Sequence, residues 1–194
     1  MIMKPLRSSQ SVLFIIDMIE GFVNEGPLSD STIAHIVPNI RRMIEKFVLI
    51  EYPIIAINDA HHDHSREFVA FPPHCLAHSS ESKMLNDLHH PHIQVMNKNS
   101  VNAFMSPMFQ AWFKDAPIYE RYIISGCVSD ICILHFALSL NSYFHEHDIE
   151  TQVIVMSDGI ETFHHDTHDR QTYHETALKL MSQVGILTLE SESL

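Results

Sequence analysis

The chain predicts a three-layer α/β/α fold built on a six-stranded, mostly parallel sheet. Three observations carry that prediction. Six short apolar runs recur along the 194 residues, most segments between them have helical periodicity, and polar, reactive residues follow the runs instead of interrupting them. The runs are 11–16, 53–57, 93–96, 121–125, 152–156 and 185–189. They are Val/Ile/Leu-rich with little polar alternation, the pattern of strands buried on both faces of a parallel sheet.

Taken in order, run 11–16 ends at Asp17. A helix over 33–50 follows, with Ile36, Ile40, Ile44, Phe47 and Val48 apolar and Arg41, Arg42, Glu45 and Lys46 facing elsewhere. Run 53–57 leads to Asp59 and His61, and run 93–96 to Lys98. Run 121–125 leads to a turn at Gly126 and a helix over 130–144, apolar nearly all round and therefore central and buried. Run 152–156 is followed by Asp158. A last helix over 169–184 carries Ala177, Leu180 and Met181 on one stripe. Alternating strand and helix without repeat, linker or low-complexity tract describes one domain, 1–194, long enough to bury a proper core.

Hydrophobic content of 45% and charged content of 19% are those of a soluble globular protein. A net charge of −12 argues against nucleic acid and anionic membranes, which need basic patches. Cys75, Cys127 and Cys132 form neither a CxxC pair nor an even disulfide framework, which suits a reducing cytosol. Lys4 and Arg7 precede the apolar stretch 12–16 as in a signal peptide, but that stretch is too short and ends in Asp17. Nothing approaches the roughly 18 apolar residues of a membrane span. The expectation is a soluble, cytoplasmic protein.

In open parallel sheets, ligands bind beyond the carboxyl ends of the strands. Asp17, Asp59, His61, Lys98, the segment 126–132 and Asp158 therefore point to one shared site. With Ser129 or Asp130 as N-cap, Cys132 falls in a helix's first turn, where unpaired N–H groups and the dipole favour a thiolate. A cysteine attacking an amide needs a base, a cation and N–H donors for the oxyanion. Asp17 can be the acid/base. Lys98 can lower the thiol's pKa and hold Asp17, and backbone N–H groups around Val128 and Cys132 can meet the oxyanion. Each has a plainer alternative: a small core hydrophobe at Cys132, a strand-end cap at Asp17, a solvated loop lysine at Lys98.

Sixteen histidines raise the prior for a metal. Asp59 and His61, two residues apart on an extended segment, and His74 before Cys75 flank a histidine-rich loop. Their oxygen and nitrogen donors suit Zn²⁺, Fe²⁺ or Mn²⁺. The alternative is a surface loop of solvated histidines.

Asp17 in Phe-Ile-Ile-Asp-Met, Lys98 in Asn-Lys-Asn-Ser-Val-Asn-Ala-Phe104, and Ser125-Gly-Cys-Val-Ser-Asp-Ile-Cys132 resemble the isochorismatase-like cysteine hydrolases, a Rossmann-like family, and its nicotinamidase branch above all. The resemblance runs from about residue 10 to residue 190. It implies a catalytic triad of Asp17, Lys98 and Cys132 and a non-proline cis peptide at Cys127–Val128 that aims N–H groups at the oxyanion. It also implies a metal, zinc foremost with iron or manganese as alternatives, on Asp59, His61 and His74. Glu67 is the expected fourth ligand, with His64 as local competitor. Phe22 and Phe71 match positions where aromatic rings sandwich the substrate, although the family's Trp-Pro-x-His-Cys is Phe71-Pro-Pro-His-Cys75 here.

The implied reaction converts nicotinamide and water to nicotinate and ammonia through a thioester, a step of NAD salvage, in a homo-oligomer whose partner is a small-molecule amide. The alternatives are hydrolysis of another small amide or carbamoyl compound, and a non-catalytic metal-binding protein. Isochorismatases that cleave a vinyl ether lack the nucleophilic cysteine, so Cys132 counts against that activity. The His89–His92 and His164–His168 clusters receive no role, and His135 is expected to be a hydrogen-bonded core histidine.

Overall fold

The computed structural model describes residues 8–194; Lys4 and Arg7 lie outside the described residues. Six strands form one sheet: β1 Ser8–Ile16, β2 Ile54–Asp59, β3 Ile93–Lys98, β4 Tyr119–Cys127, β5 Gln152–Glu161 and β6 Leu187–Leu189. Their order is β3-β2-β1-β4-β5-β6, and every pair is parallel. The chain winds outward from β1 to β3, crosses back to β4 and continues the other way. This leaves a switch point between β1 and β4, where such sheets open a crevice.

β1 shows why two layers of helix are required. Val12, Phe14 and Ile16 enter one core and Leu13 and Ile15 the other, all fully buried, as period-two side chains must be when both faces are covered. Helix α2 (Val37–Leu49) covers the Leu13 face with Ile40, Met43, Ile44 and Phe47. Helices α3 (Pro107–Asp115), α4 (Leu134–Glu146) and α5 (Arg170–Gln183) cover the other face. On that face Phe14 packs edge-on against Phe109 and Phe136, with ring centroids 5.9 and 5.2 Å away. A single helical turn, α1 (Glu20–Val23), follows β1.

The helices depart from expectation in instructive places. The segment expected as one helix over 33–50 is a 3₁₀ turn, Ser31–Ile36, followed by α2. Pro38 has no N–H to give an interior bond, so it is tolerated only in a helix's first turn. Helix α3, which the periodicity argument did not include, starts at Pro107 with the Ser106 hydroxyl capping the Phe109 N–H. Helix α5 is capped by Asp169, whose carboxylate accepts from Thr172 N. Helix α4 is not buried all round: His135 is exposed, and its ring bonds the Ile131 carbonyl at 2.7 Å, so it is no core histidine. Among the described residues no helix is long and apolar enough to cross a membrane.

Two strand-end expectations also change. β5 continues past a register shift to Glu161. Asp158 therefore sits inside the strand, and its carboxylate accepts from the Ser191 N–H and hydroxyl at 2.8 and 2.6 Å, away from the other strand-end residues. Gly126 is not a turn but part of β4, with φ +118°; a Cβ there would lie 2.0 Å from the Ile16 carbonyl oxygen. Only glycine lets β4 press this closely against the end of β1. Gly126→Ala should therefore cost on the order of 3 kcal/mol or more, read as a fall in unfolding midpoint by denaturant titration.

Candidate active site

The carboxyl ends of β1, β2, β3 and β4 bring the site together. In-register pairing sets Asp59 beside Lys98. Asp17, one residue past β1, adopts φ +54°, a left-handed conformation that aspartate tolerates better than most residues. Its backbone N–H bonds the Ile57 carbonyl at 3.0 Å. Its carboxylate Oδ1 accepts the Asp59 N–H at 2.8 Å, and Oδ2 lies 2.8 Å from Lys98 Nζ. Lys98 Nζ also donates to Asp59 Oδ1 at 2.6 Å and to Cys132 Sγ at 3.8 Å. All four side chains are buried, Lys98 completely.

Cys132 lies on a π-helical turn, Ser129–Ile133, between β4 and α4, in which Ile133 N–H reaches the Val128 carbonyl at 3.2 Å. The peptide bond before the turn, Cys127–Val128, is cis. Cys132 is in the first turn as expected, but neither Ser129 nor Asp130 caps it. Both side chains are spent laterally. The Ser129 hydroxyl meets His174 Nδ1 at 2.9 Å. The Asp130 carboxylate accepts from the Thr162 hydroxyl at 2.6 Å and pairs with His168 at 2.8 Å. The Cys127 thiol donates to the Asp17 carbonyl at 3.0 Å, which uses it structurally.

The surroundings of Cys132 oppose the thiolate that a helix terminus favours. Burial raises the Cys132 thiol well above the ordinary range; Lys98 pulls it down, but the charges of Asp17 and Asp59 push it up again. Burial and the charge of Asp59 likewise lift Asp17, against the pull of Lys98, to about 7. Burial raises Asp59 too, but the Lys98 ammonium and the facing imidazoles more than offset it and hold Asp59 well below the carboxylate range. Lys98 stays charged: burial disfavours its ammonium, and its two carboxylate neighbours outweigh that. The resting pair is thus a thiol hydrogen-bonded to Asp17, a carboxylate near neutrality. Transfer from this thiol to Asp17 is therefore uphill at rest and has to be coupled to attack on a substrate.

Beside this group, Asp59, His61, Glu67 and His74 place four ligand atoms within 4.8 Å of one another. Glu67 comes from a 3₁₀ turn, Arg66–Val69, and His74 returns because the His61 N–H bonds the Cys75 carbonyl at 2.9 Å and the Ala77 N–H bonds the His61 carbonyl at 2.8 Å. His61 Nε2 is 3.5 Å from both Asp59 Oδ2 and Glu67 Oε2, and His74 Nε2 is 3.9 Å from Asp59 Oδ2. His61 Nε2 and Glu67 Oε2 are buried without a hydrogen-bond partner. Donors about 2.0–2.2 Å from one ion stand roughly 3–4 Å apart, so the set fits a divalent cation. The rings are oriented for it: His61 Nδ1 meets Asn99 Oδ1 at 3.1 Å and His74 Nδ1 meets the Pro72 carbonyl at 2.8 Å, turning both Nε2 atoms inward. His64 is exposed and outside the group.

A cavity of about 680 Å³ opens onto both groups. Cys132, Val128, Asp59, Glu67 and His74 line it, with Phe22 and Phe71 among its aromatic walls. Sequence reasoning missed Asn99, next to Lys98, and Phe163 and Arg170 on the far wall. Asn99 was legible only as a neighbour of Lys98; nothing in the spacing marked the other two.

The isochorismatase domain model matches residues 11–193. The chain belongs to the isochorismatase family. It is an isochorismatase-family hydrolase whose six-stranded fold is shared with solved relatives. The N-carbamoylsarcosine amidase of Thermoplasma acidophilum superposes with TM-score 0.77 at 18% identity, over 95% of this chain and 98% of that one. A nicotinamidase/pyrazinamidase of Bacillus subtilis gives 0.75 at 20%, over 93% and 100%. A Pyrococcus horikoshii pyrazinamidase in complex with zinc gives 0.76 at 20%, over 93% and 99%. At these identities the likeness shows the fold. No curated protein matches the chain.

Two outcomes follow for this isochorismatase-family hydrolase. Lys98→Met leaves two buried carboxylates facing each other, and a loss of about 3–5 kcal/mol is expected in denaturant unfolding. Iodoacetamide should modify Cys132 at least about tenfold faster than Cys75 or Cys127, mapped by mass spectrometry, because it alone of the three lines the cavity.

Proposed function

We propose that the chain is a metal-dependent cysteine amidohydrolase that converts a small aromatic carboxamide, nicotinamide in the first instance, to the carboxylate and ammonia. The observation that carries this reading is the convergence of Asp17, Lys98 and Cys132 with a four-donor metal group on one cavity. Asp17 takes the thiol proton as Sγ attacks the carboxamide carbon. The N–H groups of Val128 and Cys132 meet the oxyanion, and Asp17 returns its proton to the departing ammonia. Asp17 then takes a proton from the water that hydrolyses the thioester and passes it to the Cys132 sulfur as that leaves. Lys98 remains charged throughout and holds Asp17 in line.

Asp59, His61, Glu67 and His74 would hold the ion, which supplies a Lewis-acidic anchor for the ring nitrogen of the substrate. Phe22 and Phe71 then pack against the ring. A second reading, a larger amide or a carbamoyl compound, draws on the cavity: 680 Å³ lies within the roughly 300–1,000 Å³ that encloses drug-sized ligands, well beyond one pyridine ring.

Ammonia release from nicotinamide, pyrazinamide and N-carbamoyl amino acids tests both readings. Cys132→Ala is expected to lose activity by on the order of a thousandfold or more; ammonia released from nicotinamide by this variant at the wild-type rate would overturn the mechanism. Chelator treatment should lower nicotinamide turnover, with zinc restoring it. Asn99→Ala should weaken zinc binding about 10–100-fold in a chelator competition, since it leaves the His61 ring free to turn.

A further inference from the structure

We propose that Phe163, fixed in place by His168, is a specificity-determining wall of the cavity and contacts the part of the substrate remote from the scissile amide. The inference rests on Cys132 being the reacting thiol. Phe163 stands two residues past β5, packs against the core that holds Phe22 and Val128, and lines the cavity together with Cys132. The far side of its ring is covered: His168 lies parallel to it with centroids 4.0 Å apart, and Tyr173 stacks on the other face of His168 at 3.8 Å.

His168 cannot swing away from this stack. Its Nε2 is 2.8 Å from Asp130 Oδ2 and its Nδ1 3.1 Å from the Phe163 carbonyl. The backbone around it is closed by reciprocal bonds between His165 and His168, at 3.0 and 2.9 Å. Asp130 belongs to the turn that carries Cys132, so one histidine ties the nucleophile's turn to the aromatic wall facing it. Leu28 and Ile131 are also on the cavity surface, and at about 680 Å³ the cavity is far larger than a single pyridine ring. The geometry points to an aryl carboxamide that carries an apolar substituent or second ring reaching Phe163. His168 is a positioning residue, since it does not itself line the cavity.

Alkylation of Cys132 reads this without relying on hydrolysis. The rates with iodoacetamide and with N-benzyl-iodoacetamide are compared for the wild type and for Phe163→Ala, Phe163→Leu, His168→Ala and His168→Phe. The wild type should favour the benzyl reagent. Phe163→Ala and His168→Ala should each cut that preference about fivefold while the iodoacetamide rate stays within about twofold, as loss of one aromatic contact predicts. His168→Phe, which keeps a flat ring in the stack but loses both hydrogen bonds, should recover part of it.

An unchanged ratio in both Ala variants overturns the proposal. So does an equal fall with both reagents, which marks a structural role, or a His168→Phe as impaired as His168→Ala. Should Phe163→Ala not fold, Phe163→Leu carries the same test. In parallel, KM for ring-substituted nicotinamides should rise in the Ala variants with kcat little changed. A shifted alkylation ratio without any amide hydrolysis sinks the amidase reading and the carboxamide assignment with it, but leaves Phe163 as the wall that selects what reaches Cys132; hydrolysis with an unmoved ratio does the reverse.

Discussion

Lys98 ends β3, the strand at one edge of the sheet, and carries its ammonium inward until it touches two carboxylates, Asp17 at 2.8 Å and Asp59 at 2.6 Å. A buried cation is costly unless it is paired, and so are two buried carboxylates. Each of the three is therefore tolerable only because the others are there. That mutual dependence fixes the relative positions of β1, β2 and β3 at their carboxyl ends. It also sets the protonation pattern: Asp59 is kept charged, and Asp17, with less compensation, sits where it can exchange a proton with Cys132.

The metal group is built on the same logic of donors held before they are needed. Asn99 and the Pro72 carbonyl turn the two imidazoles. The Val101 N–H bonds Glu67 Oε1, leaving Oε2 for the cavity. Phe68 packs on both His61 and His74, with centroids 5.4 and 5.8 Å away. These four donor side chains have little freedom left to lose.

β1, β2, β4 and β5 were legible because buried parallel strands need apolar runs, whereas β3 and β6 are edge strands and only partly buried, not covered on both faces as expected. Asp17 and Lys98 were legible as residues just past their runs, and Cys132 as part of the segment that follows β4. Helix α3 was not, because nine residues from Pro107 give too few turns for a periodic stripe. The choice of Glu67 over His64 could not come from spacing; it depends on a 3₁₀ turn that faces one residue inward and leaves the other exposed. Ser129 and Asp130 look like helix caps by type, yet their partners are His174, Thr162 and His168, distant in sequence. The balance of charge at Cys132 was not legible for a related reason. A helix terminus and one lysine are visible locally, whereas burial and two carboxylates from other strands appear only once the chain is folded.

Asp59 faces both ways: Oδ1 takes the ammonium of Lys98, and Oδ2 faces His61 and His74. This double duty limits how such a site can diverge. A descendant could shed the histidines or the loop that carries Glu67 and still keep Asp17, Lys98 and Cys132 together, because Lys98 would remain neutralised. Replacing Asp59 itself would strip the lysine of a counter-charge and disturb Asp17 in the same step. The two histidines and Glu67 are thus the part of this architecture most easily lost by drift, and the shared carboxylate of Asp59 the part least free to change.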